Sequence, residues 1–283
     1  MFAIKAAAAL AFFLCFLTVV HAGACGIQNY MVIVFENEDA SNVLQDDYFR
    51  YLANRGLLLN NYHGVDHPSQ PNYIAMVAGS RNGILSDSSK DTDANSVADL
   101  LEAKGLSWKA YNEGYPGNCH AGSKKGRYVR KHNPFISFTN IRNNAKRCAR
   151  IVDASQLDKD AAAGRLPNYM FFTPDMVNDM HDSDIGTASN WLQNFLEPKF
   201  QNPAYANTLF HITFDESYDK QDEVNQIYSV LVGKGIDGIQ NGGVDNSDYD
   251  HYSGLRLVEN IFGLGNLGKH DAEVTPVSLA CMN

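Results

Sequence analysis

The hydroxyl of Ser69 stands at a bend of the chain between two prolines, Pro68 and Pro71. The small-residue pattern over 73–79 predicts a helix, and Pro71 suits its first turn, where a missing N–H costs nothing. Ser69 is then expected at the positive end of this helix, beside free backbone N–H groups that suit a phosphate. Two interpretations stay open here: a catalytic hydroxyl, or an N-cap without chemistry.

Acidic residues and histidines follow several apolar runs of the chain. Carboxylate and imidazole groups are ligands of divalent metals, although each cluster by itself also fits a turn, a cap or a surface position. Four clusters placed in this way, together with a serine before a helix, favour a common site. The clusters are Glu36-Asn37-Glu38-Asp39, Asp175 with the residues 178–182, Asp215-Glu216, and Asp250-His251.

The elements that must position these residues are indicated by the apolar runs. Strands are predicted over 30–35, 57–62, 107–111, 168–172, 208–214 and 228–232, and helices over 46–55, 96–104, 187–196 and 252–262. Continuous apolar strands are typical of a parallel sheet that is buried on both faces. Strand–helix alternation therefore predicts an α/β sandwich, with sites at the carboxyl ends of the strands. The segment 114–150 is predicted to be an insertion or long loop.

The first residues of the chain have the pattern of an export signal. Lys5 precedes an apolar run over 6–20, and small residues follow it, which predicts a secretory signal peptide over 1–22 and a mature domain over 23–283. The alternative is a retained anchor, but the run is shorter than the roughly 20 residues that span a bilayer. No later segment is long and apolar enough to span, so we expect a secreted protein without a stable membrane anchor.

Four cysteines remain outside the leader, and in an exported protein they predict two disulfides, for which three connectivities are possible. Sequence proximity favours Cys119 with Cys148, which would hold the insertion. Cys25 with Cys281 would then tie the two ends of the domain together. A four-cysteine zinc site is disfavoured because no pair has the close spacing that such sites use.

The charge of the chain restricts its partners. A formal charge of −9 and a pI near 5.4 argue against a general nucleic-acid binder, which needs a basic surface. Lysines and arginines do cluster between 124 and 150. Most of them are expected to form a solvated basic loop, and a minority to face an anionic substrate.

Several motifs resemble those of a known family. They are Phe-Glu-Asn at 35–37, His-Pro-Ser-Gln-Pro-Asn at 67–72, Asn-Asp-Met-His-Asp at 178–182, Phe-Asp-Glu at 214–216 and Asp-His-Tyr-Ser at 250–253. In this order they resemble the phosphoesterase family of secreted acid phosphatases and bacterial phospholipases C. The segments 115–119 and 130–135 are similar to its acid phosphatase-like members. The resemblance implies the alkaline-phosphatase-like α/β fold and metal-assisted cleavage of phosphate esters through a serine or threonine nucleophile.

The resemblance also implies roles for single residues. Ser69 matches the nucleophile, and Asn37 falls where the family holds a phosphate oxygen. Glu216 stands where many superfamily members have a histidine, which makes that position more oxygen-rich. Further phosphate contacts are expected from His67, Lys131 and His132. Asn37 and His132 are also counted with the catalytic residues. The metal ligands that the resemblance implies are Glu36, Ser69, Asp179, His181, Asp215, Glu216 and His251.

Three functions are compatible with these residues. The first is a secreted acid phosphatase that hydrolyses phosphomonoesters through a Ser69 phosphoryl-enzyme, with divalent metal ions of open identity and number. The second is a phosphodiesterase of phospholipase C type, and the third is a secreted binding protein without activity. The sequence leaves the physiological substrate and the oligomeric state open. His211, inside an apolar strand, is expected to be a satisfied core histidine.

Overall fold

The structure is a computed structural model that describes residues 22–219 and 224–282. The predicted leader, 1–22, lies outside these residues except for its last position. No helix in the described ranges is long and apolar enough to cross a membrane.

The strands and helices of the described ranges follow one another along the chain. Thirteen strands are formed: β1 (Asn29–Phe35), β2 (Leu57–Leu59), β3 (Tyr62–His63), β4 (Trp108–Asn112), β5 (Lys124–Lys125), β6 (Tyr128–Val129), β7 (Ile151–Asp153), β8 (Tyr169–Thr173), β9 (Thr208–Phe214), β10 (Gln226–Ile227), β11 (Ser229–Gly233), β12 (Gly243–Asp245) and β13 (Tyr249–Asp250). Nine α-helices accompany them: α1 (Ala40–Val43), α2 (Asp47–Arg55), α3 (Ser69–Ala78), α4 (Val97–Ala103), α5 (Thr139–Arg142), α6 (Ala145–Cys148), α7 (Gln156–Ala162), α8 (Ile185–Phe200) and α9 (His251–Phe262).

A central sheet of eight strands has the order β12-β2-β11-β9-β1-β8-β4-β7. β1 lies between β8 and β9, and both pairings are parallel. Every residue of β1 and β9 is buried, as the continuous apolar runs predict for strands that are covered on both faces. α2 packs against α8, β2 and β11, and α3 packs against α9. The predicted α/β sandwich with a mostly parallel sheet and helices on both faces is confirmed.

The strand prediction was wrong in direction at one place. β11 runs antiparallel to both β9 and β2, whereas its apolar run predicts a parallel strand. A buried strand is equally apolar in either direction, so the pattern does not distinguish the two. The predicted strand 57–62 is divided into β2 and β3, which belong to different sheets.

The two helices next to the site have well-defined ends. α3 is buried along its whole length, and it ends at Gly79, whose left-handed φ of 63° suits a residue without Cβ. α9 begins after Asp250, whose side chain accepts a hydrogen bond from the Ser253 N–H at 2.9 Å. These caps fix the helices that carry Ser69 and His251.

The segment 114–150 is an insertion with short elements of its own, as expected. The structure contains both predicted disulfides, Cys119–Cys148 within the insertion and Cys25–Cys281 between the chain ends. The expectation of a solvated basic loop was partly wrong. Its arginines reach back to acidic side chains in α4 and in the loop before it, in the ion pairs Arg130–Asp91, Arg142–Asp91, Arg147–Asp99 and Arg147–Glu102.

Candidate active site

The site lies at the carboxyl edge of the central sheet. β1 and β9 are neighbours in register, with Phe35 opposite Phe214, so the next residues, Glu36 and Asp215, lie side by side. The Asp215 N–H donates to the Phe35 carbonyl at 3.0 Å. On the other side of β1, the Glu36 N–H donates to the Asp179 carbonyl at 2.9 Å. Parallel pairing therefore brings three of the predicted acidic clusters to one edge.

Ser69 is the first residue of α3, and Pro68 occupies the N-cap position. The N-cap interpretation of Ser69 was therefore wrong, because its side chain points to acidic groups rather than to its own helix. Asn72 holds the preceding turn by accepting the Val65 and Asp66 N–H groups at 2.8 and 3.1 Å. This leaves the Ser69 hydroxyl fixed at the positive end of a buried helix.

Three charged side chains surround the Ser69 hydroxyl. Its Oγ lies 2.9 Å from Glu36 Oε2 and 3.3 Å from Glu216 Oε1, so its single proton has two carboxylate acceptors. Lys131 Nζ donates to the same Oγ at 3.3 Å. Ser69 is only 1% exposed, and charge interactions are strong where water is excluded. The arrangement offers a proton acceptor and a positive charge to one buried hydroxyl.

His132 bridges two of the buried carboxylates. Its Nε2 lies 3.0 Å from Glu36 Oε1, and its Nδ1 lies 3.1 Å from Asp179 Oδ2. Burial alone would lower the pKa of His132, but the two carboxylates raise it to about 9, so the imidazole is charged at acidic pH. Burial alone would raise the pKa of Glu36, but His132 and Lys131 lower it to about 2. Burial raises the pKa of Asp179 to about 6.

Asp215 and Glu216 add two more buried carboxylates at the carboxyl edge of the sheet. Burial and the charges of Glu36 and Glu216 raise the pKa of Asp215 well above its usual range. Its Oδ1 accepts the Glu216 N–H at 2.7 Å, and its buried Oδ2 accepts no hydrogen bond. Glu216 Oε2 lies 2.5 Å from His67 Nδ1. His67 is thus placed beside a carboxylate, and its predicted phosphate contact stays a prediction.

Asn37 and His251 lie at the same edge. Asn37 has a left-handed φ of 44°, donates its N–H to Asp215 Oδ1 at 3.2 Å, and buries an Oδ1 that has no partner. His251 donates from Nε2 to the Asp215 carbonyl at 2.6 Å, so this nitrogen is not available to a metal. Burial lowers the pKa of His251 to about 4, and its Nδ1 has no partner. The predicted roles of both residues stay predictions.

The remaining predicted residues approach through the insertion and the loop after β8. Lys131 and His132 belong to a 3₁₀ helix over Arg130–His132, and Thr173 Oγ1 donates to the His132 carbonyl at 3.1 Å. His181 reaches Lys131 Nζ through Nε2 at 3.2 Å and Asp182 through Nδ1 at 2.9 Å. Lys131 belongs to the basic residues between 124 and 150, and it faces the site, as the sequence predicts for a minority of them.

A divalent metal is implied by the resemblance, and the donor set can be tested against it. Within residues 22–219 and 224–282, no group of three or more His, Cys, Asp or Glu has the arrangement of a ready-made metal site. Three fully buried carboxylates nevertheless converge near Ser69, those of Glu36, Asp215 and Glu216. The unpartnered Asp215 Oδ2 and the repulsion that raises the pKa of Asp215 both fit an added cation.

Two residues of the site were missed from the sequence. Tyr73 donates its hydroxyl to Glu36 Oε1 at 2.6 Å and stacks on His132, with ring centroids 5.1 Å apart. Its spacing of four residues from Ser69 places both on one helix face, which was an available signal. Asp87 accepts from Lys131 Nζ at 3.1 Å, and it lies in a polar loop without any pattern that marks it.

The fold agrees with comparisons to solved structures. A protein of the alkaline phosphatase superfamily from Vibrio parahaemolyticus superposes with a TM-score of 0.60 at 12% identity, over 94% of this chain and 76% of that one. The lipoteichoic acid synthase LtaP from Listeria monocytogenes gives 0.58 at 10% identity, over 89% and 75%. These likenesses establish the alkaline-phosphatase-like fold.

Residues 42–265 match the Phosphoesterase family, and the chain belongs to that family. It is 36% identical to a probable acid phosphatase of Kluyveromyces lactis, over 89% of this chain and 62% of that protein. It is 35% identical to an acid phosphatase of Aspergillus fumigatus, over 86% and 56%. The chain spans less than two thirds of the length of these relatives.

Proposed function

We propose that this protein is a secreted acid phosphatase that hydrolyses phosphomonoesters through a phosphoryl-enzyme on Ser69. The observation that carries the proposal is the buried Ser69 hydroxyl, held between the Glu36 carboxylate at 2.9 Å and the Lys131 ammonium at 3.3 Å. The similarity to fungal acid phosphatases supports the substrate class. The leader pattern and the two disulfides support export.

In the first step, Ser69 Oγ attacks the phosphorus atom while the bond from phosphorus to the leaving oxygen breaks. The hydroxyl proton passes to Glu36 Oε2, which already accepts it in a hydrogen bond. Because the pKa of Glu36 is about 2, this carboxylate is a weak base. Positive charge beside Oγ must therefore stabilise the oxyanion, and Lys131 supplies it. The leaving oxygen takes a proton from the acidic solvent.

In the second step, water attacks the phosphorus atom while the bond from phosphorus to Ser69 Oγ breaks, and inorganic phosphate is released. Ser69 takes its proton back from Glu36, and the attacking water gives up a proton to the solvent. Asn37 lies at this edge, and its side-chain NH2 is the group that would donate to a phosphate oxygen, since its buried Oδ1 is an acceptor. A divalent ion held by Glu36, Asp215 and Glu216 would add positive charge at the Ser69 oxygen and the phosphate. His251, Asp179 and His181 stay candidates for its further ligands.

The test is the variant Ser69→Ala. We expect kcat for p-nitrophenyl phosphate to fall by about three orders of magnitude, the scale on which covalent machinery contributes. The free energy of unfolding should change by only about 1–3 kcal/mol, because the hydrogen bonds of the hydroxyl with Glu36 and Lys131 are lost. Ser41→Ala, at an exposed serine in α1, is the matched control and should leave kcat unchanged.

The same assay separates the proposed function from its alternatives. Bis-p-nitrophenyl phosphate should be a poor substrate at every pH, and a chelator should reduce the hydrolysis of the monoester if a cation takes part. A preference for the diester would instead support a phosphodiesterase. Undiminished monoester hydrolysis by Ser69→Ala would exclude Ser69 as the nucleophile.

A further inference from the structure

Asp87 lies in the loop between α3 and α4 and contacts two elements of the site at once. Its Oδ1 accepts the N–H of Gln70, the residue directly after Ser69, at 3.0 Å. Its Oδ2 accepts from Lys131 Nζ at 3.1 Å. The next residue strengthens this attachment, since the Ser88 N–H donates to Gln70 Oε1 at 2.7 Å. One carboxylate thus links the helix of Ser69 to the insertion that carries Lys131.

Lys131 needs such an attachment because of its chemistry. An ammonium on four flexible carbons has three donors and no geometry of its own. In this structure the three donors point to Ser69 Oγ at 3.3 Å, His181 Nε2 at 3.2 Å and Asp87 Oδ2 at 3.1 Å. Among these three partners, Asp87 is the one with a negative charge, and it therefore holds the ammonium most strongly.

We propose that Asp87 is a positioning residue, which holds the Lys131 ammonium against Ser69 Oγ during phosphoryl transfer. The proposal rests on the proposed function. The side chains of Lys131 and Asp87 are 19% and 34% exposed, so the pair lies at the mouth of the site, where solvent weakens it. Its contribution is the placement of a charge rather than the stability of the fold. Small displacements of a catalytic group slow reactions markedly.

The experiment is a double-mutant cycle on p-nitrophenyl phosphate. Asp87→Asn keeps the shape of the side chain and an oxygen for the Gln70 N–H, but it loses the charge. We expect kcat to fall about tenfold, with little change in KM, since the charge acts on the oxyanion that forms at Ser69. The matched control, Asp93→Asn, changes an exposed aspartate of the same loop and should leave both constants unchanged.

The second arm of the cycle tests whether Asp87 acts through Lys131. Lys131→Gln alone should lower kcat about 100-fold, the scale of a lost electrostatic contact in a site. In that background Asp87→Asn should have no further effect on kcat, because residues that act as a unit are not additive. The same tenfold loss in both backgrounds, or no loss with Lys131 present, would overturn the proposal. If Asp87→Asn does not fold, Asp87→Ser, which also keeps an acceptor oxygen, replaces it.

A crystal structure of the Asp87→Asn variant gives a readout that needs no turnover. We expect the separation between Lys131 Nζ and Ser69 Oγ to exceed the 3.3 Å of the unchanged protein. An unchanged separation would overturn the positioning role whatever the substrate. A displaced ammonium in a protein that hydrolyses no phosphate ester would instead refute the proposed function, and would show only that Asp87 places Lys131 beside Ser69.

Discussion

Glu259 in α9 makes the stability of this fold depend on pH. Its side chain is fully buried, it pairs with Arg256 at 3.1 Å, and it lies beside the buried Asp271. Asp271 lies in a turn that is attached to the end of α3. The preceding residue, His270, donates its N–H to the carbonyl of Gly79. Burial, and then the charge and hydrogen bond of Asp271, raise the pKa of Glu259 from 4.5 to about 8.

The sign and size of the effect follow from this pKa. The folded state binds the proton of Glu259 more tightly than the unfolded state. The contribution of Glu259 to the free energy of unfolding is therefore complete below about pH 4.5 and is lost as the pH rises through about 8. A pKa shift of this size corresponds to a change of at most about 5 kcal/mol in the free energy of unfolding. Relaxation of the protein and entry of water around an ionised buried carboxylate reduce this penalty, so we expect a loss of about 2–3 kcal/mol.

The assay is the melting temperature as a function of pH for the variant Glu259→Gln. The unchanged protein should lose roughly 5–10 °C between weakly acidic and weakly alkaline pH, and the variant should lose much less. His270 lies in the same turn as Asp271 and packs against Tyr252, with ring centroids 4.9 Å apart, and His270→Gln serves as the control. Equal pH dependence in the unchanged protein and in Glu259→Gln would refute the reasoning.

Two further predictions concern stability. Removing the Cys119–Cys148 bridge by a double change to serine should lower the free energy of unfolding by about 3–4 kcal/mol, because the disulfide closes a loop with a sequence separation of 29. Denaturation with urea measures this change, and an unchanged midpoint would contradict it. Replacing His211 with Leu should cost about 2–4 kcal/mol, since the buried hydroxyls of Tyr30 and Ser229, now 2.6 and 2.7 Å from its ring nitrogens, would lose their partner. A melting temperature equal to that of the unchanged protein would show that His211 is not the satisfied core histidine that the sequence predicts.

The sequence predicted those features that depend on local pattern. The apolar runs of β1 and β9 are long enough to identify central strands, and parallel neighbours must end at the same edge. The sequence therefore places Glu36 and Asp215, which follow those strands, at the same edge of the sheet. The prolines around Ser69 likewise predicted the start of α3.

Features that depend on contacts between distant segments could not be read in this way. Lys131 and His132 reach Ser69 and Glu36 only because the insertion folds back over α3, and no local pattern encodes that path. Asp87 is attached to Lys131 across 44 residues of chain. The direction of β11 was missed for a related reason, since it depends on the route of the preceding loop and not on which residues are apolar.

The most direct test of the central claim is the chemical state of Ser69 during turnover. The protein would be mixed with p-nitrophenyl phosphate, quenched rapidly in acid, digested, and mapped by mass spectrometry. The account predicts one phosphoryl group on the peptide that contains Ser69, and none on this peptide in Ser69→Ala. An unmodified Ser69 peptide in protein that is actively turning over, or a phosphoryl group on another side chain, would contradict the account.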